Sequence, residues 1–336
     1  MMQRRALFIY TNISSFISGD IDILSEQFKV TQYRVDNSSP LRLSFSLARL
    51  FIFLLFRGWH FNLFYIWFAD YHSFLPVLAS KAMGKKSVVV AGGYDVCRER
   101  KYSYGSFVKP LRAYMAHYSI ANAGICLAVS ENVARIIKSI APKANCTVLY
   151  NGVTLSADLS LTTGNKTRAD KSGVLCVSFV SSEQSFYIKG IDRLISAASI
   201  LKDYQFMLVG STRETIEKYC KVIPDNLYIA GRVTHSDIVD FYSKAKVYCQ
   251  FSRRESFCLA LAESMLFNCV PVIANVGGMP EVTGGAGVIV SDYSTDSISS
   301  AILKGLSDNF EYEFAERIRQ NFTLEIRKQK LLRLLK

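Results

Sequence analysis

The chain has 336 residues, half of them apolar and a fifth charged, which excludes disordered and low-complexity classes. At roughly 100–200 residues per domain, this length points to two domains, with one large domain as the alternative. The net charge of +12 is uneven: residues 1–150 carry 18 Lys/Arg against 8 Asp/Glu (+10) and residues 151–336 carry 22 against 20 (+2), so an anionic partner is expected for the first half.

The basic start, Met1–Arg5, is like that of a signal peptide, but the apolar run Ala6–Tyr10 is short and no small-residue cleavage site follows. It reads as a buried first strand. Further strands are expected at Leu63–Trp67, Ser87–Ala91 and Ile125–Val129. A second series follows at Gly173–Phe179, Gln205–Val209, Asn226–Ala230, Lys246–Gln250 and Val270–Ala274. These runs are apolar almost throughout, as parallel strands buried on both faces require. Amphipathic stretches such as Lys189–Leu201 and His235–Ala245 lie between them, and the alternation implies doubly wound α/β layers. No run of about 18 apolar residues occurs, so no transmembrane span is expected.

The turn signal Asn151-Gly152 and the polar stretch Ser160–Ser172 mark a join. Two Rossmann-like domains are therefore expected, 1–152 and 153–316, which the resemblance described below implies face a cleft. A charged amphipathic last helix, about Ser307–Lys336, is expected to cross back, with 317–336 packing on the first domain. Eight cysteines fall largely inside apolar runs without Cys-x-x-Cys spacing, and read as core residues in a reducing cytosol. The four histidines have no metal-ligand spacing either, so no metal site is expected.

Leu41–Arg57 stands apart. On a helix, Arg42, Arg49 and Arg57 fall within an arc of roughly 80°, and a very wide apolar face takes the rest. Such a helix can lie in the headgroup plane of an anionic membrane. The alternative is a helix buried against a sheet, with its arginines at the solvent edge.

Phe251–Val282 carries the most chemistry. Glu255 follows a strand end, where ligands of such sheets bind. A helix expected to begin near Ser256 would aim its backbone amides into the same crevice and attract a phosphate. Glu263 lies further along that helix, and carboxylates accept well from vicinal hydroxyls. Gly277-Gly278 permits close backbone approach. Hydroxyl acceptors around a phosphate cradle fit a nucleotide sugar.

Glu-x7-Glu after a strand, followed by Pro-Val-Ile-Ala and Gly-Gly-Met-Pro-Glu, resembles the donor-site signature of retaining glycosyltransferases, especially glycosyltransferase family 4 with the GT-B fold. Tyr187–Asp192, Phe206–Gly210 and Asn226–Val233 resemble that family's upstream segments. Val129–Glu131 and Val148–Val153 look like the end of its first domain and its linker. The resemblance implies that Glu263 binds the ribose diol and that Glu255 contacts hydroxyls of the transferred sugar. Backbone amides near Ser256, Phe257, Cys258 and Leu259 would hold the diphosphate or sugar, Lys189 would neutralise the leaving diphosphate, and Gly231, Arg232 and Val233 would lie near the base. In the first domain, Gly19 would sit in a glycine loop over the donor, and His72 and Asp95 on the acceptor side.

The chain departs from the pattern in lacking an arginine shortly before Lys189; Arg253 and Arg254 are alternative candidates, but their favoured reading is as surface residues. The implied activity is metal-independent, cofactor-free hexosyl transfer with retention. The donor is a UDP- or GDP-linked sugar and the acceptor a glycan or lipid-linked species, as in bacterial capsule, lipopolysaccharide O-antigen or exopolysaccharide assembly. The protein would then be cytoplasmic, at the inner face of the plasma membrane. A dinucleotide-binding Gly-x-Gly-x-x-Gly turn is absent, and no basic aromatic face or known module points to nucleic acid. A catalytically silent sugar-binding relative, or a basic nucleic-acid- or membrane-binding α/β protein, are the other readings.

Overall fold

The computed structural model describes residues 3–154, 171–307, 310 and 314–336. The chain divides into one unit of residues 1–151 with 325–336, and a second of residues 152–324. The expected polar connection Ser160–Ser172 lies, up to residue 170, outside the described residues.

The first unit contains β1 (Arg5–Tyr10), β2 (Lys29–Arg34), β3 (Leu63–Trp67), β4 (Lys86–Ala91), β5 (Ile125–Ala128) and β6 (Cys146–Val148). They form one parallel sheet in the order β2-β1-β3-β4-β5-β6. Its helices are α1 (Ser15–Ser25), α2 (Pro40–Arg57), α3 (Tyr71–Ala82), α4 (Pro110–Asn122) and α5 (Glu131–Ile140). The central strand β3 is buried at every residue, as its uninterrupted Leu-Phe-Tyr-Ile-Trp sequence requires.

The second unit repeats the plan. Strands β7 (Val174–Val177), β8 (Phe206–Val209), β9 (Leu227–Gly231), β10 (Val247–Gln250), β11 (Val270–Ala274) and β12 (Val288–Val290) are parallel, in the order β12-β11-β10-β7-β8-β9. Helices α6 (Glu183–Ile188), α7 (Ile191–Ile200), α8 (Arg213–Glu217), α9 (His235–Lys244), α10 (Leu259–Leu266), α11 (Met279–Thr283), α12 (Thr295–Ser307) and α13 (Phe314–Asn321) flank or follow them. From β7 the chain builds outward through β8 and β9, then returns to place β10 on the other side. The carboxyl ends of β7 and β10 therefore bound a topological switch point, where a crevice opens in sheets of this kind.

The expected single last helix is two: α13, then α14 (Leu324–Leu334). The break has a cause. Thr323 forms a parallel bridge with Val153, and the Val153 amide donates to the Phe322 carbonyl at 2.8 Å, which draws the backbone out of helical geometry.

Gly19 is also corrected. It lies inside α1, buried, rather than in a loop. Its neighbour Asp20 accepts from the Tyr65 hydroxyl at 2.6 Å and the Trp67 indole at 2.9 Å. Arg327 of α14 forks onto the same carboxylate, 2.7 Å from each oxygen. Asp20-Ile21-Asp22 spells Asp-x-Asp, but residues two apart on a helix point in nearly opposite directions. With Asp20 committed to Arg327, the triplet does not present two carboxylates to one ion.

Candidate functional site

In the second unit, two loops meet at the switch point. One follows α6 and carries Lys189. The other follows β10 and carries Glu255. Lys189 Nζ donates to Glu255 Oε2 at 2.8 Å, with the carboxylate mostly buried and the ammonium a third exposed. Glu255 Oε1 also accepts from the Ser256 amide at 3.2 Å.

Packing holds the loops this close. Gly190 has φ of +69°, and a Cβ there would overlap the Phe251 carbonyl. Gly277 has φ of +63°, and its Cβ would overlap the Glu255 carbonyl oxygen. Both positions need glycine on conformational and steric grounds. Arg253 clasps the loops further. Its amide donates to the Ile188 carbonyl at 2.7 Å, and its guanidinium forks onto Asp192 at 2.7 and 2.6 Å. Arg253 is thus a structural clamp rather than the substitute arginine considered above. Beneath the pair, Gln250 donates to Ser252 at 2.8 Å and Ser178 at 3.3 Å, tying the ends of β10 and β7 together.

The helix expected from Ser256 begins at Leu259 instead. Ser256 and Phe257 are loop residues, and Cys258 is the cap, in the left-handed conformation at φ of +72°. That conformation is incompatible with an α-helix of L-residues, so the helix cannot extend back through it. Phe257 is buried, its ring 5.5 Å from that of Phe322, and anchors the loop to the core. Burial, reinforced by the charge of Glu255, pushes the Cys258 thiol well up, so it stays neutral. The first-turn amides of α10, from Leu259, have no partner within the helix and form its positive end. Glu263 lies one turn on, and its Oε2 accepts from the buried Tyr242 hydroxyl at 2.9 Å.

Gly231 closes β9 with φ of +72°, and the Arg232 guanidinium stacks 4.2 Å over the Phe179 ring. This pair borders an open groove of about 320 Å³, whose other walls include Val180, Ser211, Thr212 and Lys218. The groove lies past the carboxyl ends of β7, β8 and β9. Val233 follows Arg232 but does not line it. The aromatic wall, Phe179, and the polar residues Ser211 and Thr212 are not foreseen from the sequence, although each follows closely on a strand.

The acceptor-side expectations need correction. His72 is buried in α3, with Nε2 2.8 Å from the Trp67 carbonyl, and burial lowers its pKa. Asp95 is fully buried and accepts from the Ala69 amide at 2.8 Å and the Gly93 amide at 2.7 Å. Its carboxyl is pushed up to about 7 by burial, against those hydrogen bonds. Both residues tie loops together and neither is open to a ligand. A partly exposed polar group at this end, which the sequence did not single out, is Arg112: it forks onto Asp70, the cap of α3, and reaches the Tyr94 hydroxyl at 3.0 Å.

Comparison with known proteins fits this geometry. The architecture is the GT-B fold. Sucrose-phosphate synthase from Thermosynechococcus elongatus superposes with a TM-score of 0.77 at 15% identity, covering 99% of this chain and 98% of that one. HepE of Anabaena, solved with UDP and glucose, gives 0.74 at 16% identity over 99% of each chain. Residues 177–324 match the family model described as glycosyl transferases group 1. O-antigen chain mannosyltransferase B of Escherichia coli is 32% identical over 104 residues, 31% of this chain and 25% of that protein. A component of the phosphatidylinositol N-acetylglucosaminyltransferase of Arabidopsis thaliana is 25% identical over 141 residues, 39% of this chain and 31% of that protein. The matches thus span a third or less of these two relatives. Residues 177–324 are thus similar to group 1 glycosyl transferases, within a chain that has the GT-B fold.

Proposed function

We propose that this protein is a retaining glycosyltransferase. It would move a hexosyl-type sugar from a UDP- or GDP-linked donor to a glycan or lipid-linked acceptor, in the assembly of a surface polysaccharide. The observation that carries the reading is the Lys189–Glu255 pair at the switch point of the second unit. It puts a cation and a hydroxyl acceptor in one place, just ahead of the positive end of α10. The proposed roles follow from that chemistry. Lys189 and the α10 amides stabilise charge growing on the departing diphosphate, Glu255 holds sugar hydroxyls and Glu263 the ribose diol. The groove under Arg232 and Phe179 takes the base. Retention would proceed on one face of the sugar, with a departing phosphate oxygen receiving the acceptor proton, and needs no metal ligand from the chain. The name of the phosphatidylinositol-directed relative supports an acceptor attached to lipid, and that of the O-antigen chain mannosyltransferase a glycan acceptor. Contact with the inner face of an anionic membrane through Leu41–Arg57 belongs to the same proposal.

A thermal-shift panel of UDP-, GDP- and ADP-sugars tests the reading. Binding to the folded state raises stability by about 2.7 kcal/mol at a hundred times the dissociation constant. A rise with one nucleotide class and not the others is expected. No rise with any of them would overturn the proposal.

A further inference from the structure

Two of the cysteines meet. Cys126 of β5 and Cys146 of β6 are register partners in the parallel ladder, so both side chains stand on one face of the first unit's sheet. Neighbouring strands lie about 4.8 Å apart, inside the span of about 4.4–6.8 Å that a disulfide makes between Cα atoms. Among the described residues no other two cysteines are ladder partners: Cys176 of β7 faces Leu208, and Cys249 of β10 faces Val272.

The two thiols are not equivalent. Cys126 is fully buried, whereas Cys146, on the edge strand, is only partly buried. The Cys126 thiol donates to Cys146, and that bond lowers the Cys146 thiol below its ordinary value; burial opposes it, Lys138 assists and Glu131 opposes. Lys138 of α5 is held close, its Nζ donating to the Ala144 carbonyl at 2.6 Å. The same thiol–thiol bond, followed by burial, holds the proton on Cys126. The accessible sulfur is therefore the one favoured as thiolate, the form that attacks, and a second sulfur lies directly behind it.

We propose that Cys126 and Cys146 are a reversible thiol pair, closed to a disulfide by exchange with a low-molecular-weight disulfide, and that closing it fastens β6 to the sheet. The Cys146 thiolate attacks one sulfur of the small disulfide. A mixed S–S bond forms, the small molecule's own S–S bond breaks, and one half leaves as a thiolate, which takes the proton of Cys126. With Cys146 in the mixed bond, its charge no longer holds that proton. The Cys126 sulfur then attacks the Cys146 sulfur, the protein S–S bond forms, and the second half leaves as a thiolate that is protonated by water. Two protein thiols are oxidised and one small disulfide is reduced to two thiols. Cβ atoms of register partners stay near the strand spacing, beyond the mean of about 3.8 Å in a relaxed bridge, so thiols reopen this one readily. The strand it fastens has three ladder partners and runs into Leu149 and Tyr150, whose carbonyls accept from Arg327. The inference stands apart from the transferase reading.

Peptide mapping of the full, unaltered chain after treatment with oxidised glutathione tests it. Trypsin places Cys126 on residues 113–135 and Cys146 on residues 144–166, each the sole cysteine of its peptide. Glutathione disulfide should join these two peptides in most molecules, and dithiothreitol should part them. In the reduced protein, iodoacetamide should label Cys146 about tenfold faster than Cys126. Closing the bond should slow hydrogen exchange of the Thr147–Leu149 amides about fivefold. Cys146→Ser should abolish the joined peptide, and Cys126→Ala should leave Cys146 carrying glutathione; thermal unfolding checks that both variants fold. No joined peptide from the folded chain, or one formed only in urea, overturns the proposal. So does a Cys146 that stays glutathione-bound with Cys126 intact, or joining of Cys146 to other cysteines as often as to Cys126. Unchanged exchange in β6 after closure would overturn the fastening.

Discussion

Replacing Arg327 with Met would test how the end of the chain is held. The Arg327 and Asp20 side chains are 1% and 0% exposed. Arg327 forks onto both oxygens of Asp20 and also donates to the Leu149 carbonyl at 3.0 Å and the Tyr150 carbonyl at 2.8 Å. Removing the guanidinium leaves the carboxylate buried with only Tyr65 and Trp67, and two carbonyls without their donor. Stripping one partner from a buried pair costs about 3–5 kcal/mol. At about 2–4 °C per kcal/mol for a unit of this size, the midpoint should fall by roughly 6–20 °C. Arg327→Lys should recover little, because an ammonium cannot reproduce the fork. The double variant Asp20→Leu/Arg327→Met should recover most of the loss, since no lone charge remains. Calorimetry of the four proteins as a double-mutant cycle is the assay. A loss below about 1 kcal/mol in Arg327→Met, or a double variant no better than the single one, would refute this reasoning.

Other outcomes follow from the same geometry. Lys189→Ala should lower kcat by about 10²–10³, as for loss of one preorganised charge-stabilising group, while donor-induced thermal shifts persist; unchanged turnover would remove Lys189 from the reaction. Gly190→Ala forces a Cβ against the Phe251 carbonyl at positive φ, and should cost about 2 kcal/mol in urea unfolding along with transfer activity. Asp95 is raised in the folded state from 3.8 to about 7. The unfolded chain therefore releases its proton first, and stability should fall as pH rises from about 4 to about 7 and then level off. Asp95→Asn should flatten that part of a midpoint-against-pH curve, and identical slopes would show that the carboxyl is not held neutral.

Much of the fold was legible because parallel strands buried on both faces advertise themselves. Val270–Ala274 and Leu63–Trp67 were read with their observed limits. The strands that escaped, β2, β6 and β12, all lie at sheet edges, where one side has no neighbour and alternation is weak. Lys-Val-Thr-Gln-Tyr-Arg of β2 is mostly exposed and carries no apolar run. In the site, spacing alone put Glu255 past a strand and Glu263 on a helix. The contact between Lys189 and Glu255 was not legible, because it spans 66 residues and depends on two glycines allowing loops to touch. Cys258 misled in another way. Nothing in its residue type announces a left-handed conformation, so the helix start was placed too early. His72 and Asp95 followed strands as ligand residues do, but the fold spends them on backbone partners.

The bond between Asp20 and Arg327 joins residues 307 positions apart. During synthesis Asp20 leaves the ribosome long before its partner is translated, and the whole second unit emerges in between. The amino-terminal half must wait with an uncompensated acidic group at its centre. Its completion is therefore timed by the arrival of α14, and a ribosome that stalls short of that helix would leave a nascent chain for chaperones to hold.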